Sequence, residues 1–106
     1  MNFKELGENL GLDEDEYREL VELFVDTGSA EFERLKTGIA ANDKDTMVRS
    51  AHTIKGAAGN LGLMEIHEEA KKIEHLISQG RTDDLDQAMQ ILEKMIQGIG
   101  AFVKGT

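Results

Sequence analysis

Asp43-Lys44-Asp45-Thr46-Met47-Val48-Arg49-Ser50-Ala51-His52-Thr53-Ile54-Lys55-Gly56-Ala57-Ala58-Gly59-Asn60-Leu61-Gly62 is the stretch from which the fold can be read. Apolar or small side chains recur at Met47, Ala51, Ile54, Ala58 and Leu61. That spacing puts them on one face of an α-helix. Asp43 supplies an N-cap and Gly62 a left-handed stop, so a helix is predicted over residues 44–60. A helix with one apolar stripe needs partners to cover it.

The residues off the stripe carry the chemistry. At about 100° per residue, His52 falls about 140° from the centre of the apolar stripe. On the same count Gly56 lies at about 180°, Gly59 at about 120°, Val48 at about 100° and Lys55 at about 80°. His52 therefore faces outward, with two glycines beside it and a lysine on its flank. Glycine inside a helix costs about 1 kcal/mol against alanine. Taken alone, His52 reads as an ordinary surface histidine. Two helical glycines next to it suggest that another molecule must come close to the backbone there.

The same helical spacing recurs on both sides of this stretch. Asp13 and Glu16 form a capping-box pattern, with Leu12 and Tyr17 as a hydrophobic staple. The helix that follows is expected to run to about Ala41. It carries Tyr17, Leu20, Val21, Phe24, Val25, Phe32, Leu35 and Ile39, with Thr27-Gly28-Ser29 as a weak point where it could kink. A third helix over residues 64–78 would bury Ile66, Ala70, Ile73 and Ile77, and Gly80 would end it. Thr82 or Asp83 would cap the last, with Leu85, Ala88, Leu92, Met95 or Ile96, Ile99 and Phe102 inward and Gly98 and Gly100 loosening its end. Phe3 and Leu6 form a short apolar lead. The fold class expected is all-α: an antiparallel four-helix bundle with a short N-terminal helical segment, one domain over residues 1–106.

Composition narrows the function. The formal net charge is -9, which argues against a nucleic-acid partner. Residues 44–64 hold Lys44, Arg49 and Lys55 against Asp45 alone, so His52 lies in a mildly basic island of an acidic chain. There is no cysteine, which removes disulfides and thiolate chemistry. No apolar run approaches the roughly 20 residues of a membrane span, and the N-terminus lacks a signal-peptide core. A cytoplasmic monomer without membrane attachment is the default expectation.

A neutral imidazole is a good nucleophile near pH 7, and a nearby lysine can hold the oxygens of an arriving phosphoryl group. Other chemistries lack their motifs. No histidine is preceded at three residues by the glutamate of a di-metal bundle, since Arg49, Met64 and Lys72 stand there. His67-Glu68-Glu69-Ala70-Lys71 ends in lysine where a zincin needs histidine, and the glycine run lacks the Lys-Ser/Thr of a phosphate loop. No metal or cofactor site is expected on this chain. His67 and His75 read as solvent-facing helix residues, and the acidic stretch from Asp13 to Glu22 as a capped, solvated first turn.

The run Ala51-His52-Thr53-Ile54-Lys55-Gly56, continuing to Gly62, resembles the His-x-x-Lys-Gly signature of histidine-containing phosphotransfer (HPt) domains. Ala57, Ala58 and the close Asn60-Leu61-Gly62-Leu63 are similar too, and Ala70-Lys71-Lys72-Ile73-Glu74 matches the next-helix pattern less specifically. The resemblance spans nearly the whole chain. It implies a phosphoryl carrier, not an enzyme, that takes the group from the aspartyl phosphate of one receiver domain and passes it to another. The receivers would belong to response regulators or hybrid histidine kinases and would supply Mg²⁺. In this picture His52 is the nucleophile and Lys55 balances phosphoryl charge. Gly56 and Gly59 give clearance, Val48 belongs to the docking surface, and Glu74 matches a position where the family often bonds Gln or Glu to the imidazole. Two alternatives stand beside it. One is the phosphotransfer domain of a chemotaxis-type kinase, which often has a second histidine three residues before the acidic one; here that residue is Lys71. The other is a non-catalytic helical interaction module.

Overall fold

The computed structural model describes residues 2–105. A short helix α1 (Phe3–Asn9) leads into α2 (Glu14–Ala40), α3 (Lys44–Asn60), α4 (Met64–Ser78), a 3₁₀ turn (Thr82–Asp84) and α5 (Leu85–Lys104). Each long helix packs on the next and α5 returns to α2, which closes a four-helix ring with α1 against one end. The connections are a few residues long, so neighbours run antiparallel.

The local signals explain most of the boundaries. The Asp13 side chain accepts from the Glu16 N–H, and the Glu16 side chain accepts from the Asp13 N–H, so both halves of the capping box form. Asp43 caps α3 through the N–H of Thr46 and takes the Thr46 hydroxyl at 2.7 Å. These bonds favour the ionised form and hold the Asp43 carboxyl below its ordinary value. Gly62, at φ +74°, makes the left-handed turn that ends α3 and admits α4.

Met47, Ala51, Ile54 and Ala58 of the α3 stripe are buried among Phe32, Leu35, Ile66, Ile73, Leu92 and their neighbours. Leu61 is half-buried and touches a second, smaller cluster of Phe3, Tyr17, Val21 and Val103. There the Tyr17 hydroxyl donates to the Leu61 carbonyl, joining the start of α2 to the end of α3. Burial raises the Tyr17 phenol above its ordinary value.

Four expectations need correction. Phe102 does not turn inward: it is 41% exposed at the end of α5, with its ring edge against Phe3. Leu20 is exposed, because the apolar arc at the start of α2 is wider than the surface that covers it. The Thr27-Gly28-Ser29 segment does not interrupt the helix: α2 continues through it, with Gly28 buried against the Phe24 ring. Neither Thr82 nor Asp83 caps α5. They lie in the 3₁₀ turn, and Asp84 stands at the cap position with its carboxylate on Arg81. Gly98 and Gly100 lie within α5, which runs on to Lys104, and Gly100 is buried next to Val25. Between Met95 and Ile96, Ile96 is the buried one.

Candidate functional site

The site is built by the α3–α4 pair. The buried stripe fixes the rotation of α3, and His52 projects from the opposite side with 69% of its side chain exposed. Glu74 follows Ile73, a fully buried residue of α4, and leans toward α3. Its Oε2 lies 3.1 Å from His52 Nδ1, and its Oε1 lies 2.8 Å from Lys55 Nζ. One carboxylate therefore holds both the imidazole and the lysine.

Partial burial pushes the Glu74 carboxyl up, but hydrogen bonds from Lys55 and His52, with their charges, outweigh it and leave it below its ordinary value. Glu74 is thus an ionised acceptor at neutral pH. An ionised carboxylate only accepts, so His52 Nδ1 carries the proton of this bond. In the neutral ring the second nitrogen, Nε2, then keeps its lone pair, on a side chain that is largely exposed. Such a ring can attack an electrophile or accept a proton. Lys55 and Glu74 are about equally sheltered, at 22% and 25% exposure, so the cation stands beside the ring on the same carboxylate and is not free in solvent.

The other sequence-predicted residues separate. A β-carbon at Gly56 would meet no atom within 4 Å, so the surface one turn beyond His52 is open. Gly59 does not share that clearance. A β-carbon there would come within 2.9 Å of the His67 ring, so Gly59 serves the contact between α3 and α4. Val48 is half-buried and packs on the main core at the edge of the open face. His67 is not the solvent-facing residue expected: it is half-buried, with Nδ1 2.9 Å from the Lys55 carbonyl. His75 is exposed, as expected. Among the described residues no group of three or more His, Cys, Asp or Glu side chains is placed to hold a metal ion. No helix among them is long and apolar enough to cross a membrane.

Comparison with known proteins shows the family of the chain. The family model of the Hpt domain matches residues 19–102, and the chain belongs to that family, the histidine phosphotransfer domains of phosphorelays. Such a domain is a phosphoryl carrier that works with receiver domains and is not itself a catalyst. Among solved structures, the crystal structure of histidine-containing phosphotransfer protein B (HptB) from Pseudomonas aeruginosa PAO1 is similar in fold. The TM-score is 0.83 at 22% identity, over 94% of this chain and 87% of that one. Comparison with curated protein sequences finds no match.

Proposed function

We propose that His52 Nε2 accepts a phosphoryl group from the aspartyl phosphate of one receiver domain and hands it to the aspartate of another. The observation that carries this reading is the Glu74–His52 bond at 3.1 Å, which occupies Nδ1 and leaves Nε2 exposed. In the forward step the Nε2 lone pair attacks phosphorus, an N–P bond forms, and the acyl phosphate P–O bond breaks to release the aspartate carboxylate. The ring then carries Nδ1–H and a phosphorylated Nε2. Glu74 stabilises the positive charge that develops on the ring during attack. In the second step an aspartate of the next receiver attacks phosphorus, and the N–P bond breaks.

Lys55 supports the transfer as a local positive charge. It neutralises Glu74, so the site does not repel the incoming phosphoryl group. Gly56 provides clearance for a receiver that closes over the ring. The chain presents a nucleophile with little machinery, and the receiver supplies Mg²⁺ and an acidic pocket that suits the basic island around His52. The partners are receiver domains of response regulators or hybrid histidine kinases.

The test is transfer from a panel of phosphorylated receivers to wild-type protein and to His52→Gln. Acid-labile label on the wild type alone supports the reading. Label that persists on His52→Gln overturns it. Label arriving solely from an ATP-dependent kinase domain would replace the receiver with the chemotaxis-type donor.

A further inference from the structure

Lys55 is held by α4 at both its ends. Its Nζ donates to Glu74 Oε1 at 2.8 Å, and its backbone carbonyl lies 2.9 Å from His67 Nδ1. A carbonyl only accepts, so His67 Nδ1 carries the proton and donates it. The helix pattern assigns that same carbonyl to the N–H of Gly59, four residues on, so His67 takes its second lone pair. His67 and Glu74 are seven residues apart, about two turns, and so lie on the same side of α4. Between them they grip one residue of α3, through backbone and side chain.

Gly59 makes this grip possible. The His67 ring lies where a β-carbon at 59 would stand, at 2.9 Å from Nδ1 and 3.4 Å from Cε1. Any other residue would push the ring off the carbonyl. The glycine that is unfavourable inside α3 is therefore matched to a histidine on α4. The buried stripe sets which way α3 faces, and a directional hydrogen bond to its backbone limits how far α3 slides on α4. The His52–Glu74 contact depends on this alignment.

We infer that His67 is a positioning residue for the phosphoryl site: by clasping the Lys55 carbonyl in the space left by Gly59, it sets the register of α3 on α4 and so keeps Glu74 on His52 Nδ1. The inference rests on the reading of His52 as phosphoryl acceptor, yet its first test does not need phosphotransfer.

The test compares wild type with His67→Leu, His67→Asn and Gly59→Ala in the full chain, at a temperature where each is folded. ¹⁵N NMR of the His52 ring reports which nitrogen carries the proton, and transfer from a phosphorylated receiver is timed alongside. In wild type the proton is expected on Nδ1, the nitrogen that faces Glu74. His67→Leu is expected to move the His52 signals toward the Nε2–H form and to slow transfer several-fold. His67→Asn should restore both, because its amide N–H can take the place of Nδ1–H. Gly59→Ala should behave like His67→Leu, and the double variant Gly59→Ala/His67→Leu should be no worse than either, as expected for one shared interaction. Lower melting temperature in His67→Leu with an unchanged His52 spectrum and an unchanged transfer rate would overturn the inference, leaving His67 a purely structural residue. A spectrum that moves in His67→Leu while wild type accepts no phosphoryl group would keep the positioning role and remove the function it was attached to.

Discussion

Glu74 reaches His52 from the neighbouring helix, with Oε2 3.1 Å from Nδ1, and so decides which nitrogen of the ring is available. The His52 ring is exposed but held from behind. That separation allows stability and reactivity to be perturbed one at a time.

His52→Gln is expected to leave the fold intact. The side chain is largely exposed and lies off the buried stripe, and surface substitutions usually stay within about 0.5 kcal/mol. The melting curve and the helical circular dichroism should match wild type. Acid-labile phosphorylation should be lost altogether.

Glu74 gives a prediction with a sign in pH. Its folded-state carboxyl lies below the ordinary value, so it stabilises the fold above that ordinary value. The contribution shrinks as pH falls from about 4.3 through the lower folded-state value, because the unfolded state then binds the proton first. Melting temperatures of wild type and Glu74→Gln measured between neutral and acid pH should converge in that range. The gap at neutral pH should be modest, within about 1 kcal/mol, because the pair is partly exposed to solvent. A gap that widens in acid would show that the carboxyl is not held ionised.

Gly56→Gln should move stability and transfer in opposite directions. The space beside Gly56 is empty, so a side chain there meets nothing, and relief of the helical glycine is worth up to about 1 kcal/mol. The same side chain should obstruct a receiver closing on His52. Melting temperature should hold or rise while the transfer rate drops. Wild-type transfer by this variant would show that the open surface is not a docking requirement.

Lys55→Ala should slow transfer by a different route. It removes a cation and leaves Glu74 with the imidazole as its sole partner at the site. The defect is electrostatic, so raising the salt should narrow the difference from wild type in part, since a sheltered charge is screened less than an exposed one. The Gly56→Gln defect should persist in salt, because it is steric.

Tyr17→Phe tests the end of the bundle away from the nucleophile. The hydroxyl bonds the Leu61 carbonyl across 44 residues of chain. Its loss leaves a carbonyl without that donor and should destabilise by about 1 kcal/mol. Chemical denaturation would read this as a lower midpoint at unchanged slope. Transfer should stay at the wild-type rate.

Much of this architecture could be read from particular residues. The Met47–Ala51–Ile54–Ala58 stripe is unambiguous, so the direction of His52 followed by counting. Asp13 with Glu16, and Asp43 before Thr46, announced two helix starts. The cross-helix contacts could not be counted in the same way. Whether Glu74 meets His52 depends on how α3 slides on α4, which no single helix encodes; resemblance placed Glu74, and geometry supplied the distances. The His67 contact was missed although a signal existed: seven residues from Glu74, it must share that residue's side of α4. Gly59 reads as outward-facing because a helical wheel describes one helix alone and does not show which neighbour fills the space beside it.

The small cluster at the end of the bundle has a consequence for how this domain can be joined to other chains. Phe3 and Phe102 touch ring edge to face at 5.2 Å, so the start of the first helix lies beside the end of the last. Tyr17 ties that same end to Leu61, nine residues beyond His52, or about 13 Å along the axis of α3. Covalent attachments at either terminus would therefore leave from one pole, while the imidazole sits partway along the flank. A tether at that pole would leave the flank that carries His52 uncovered.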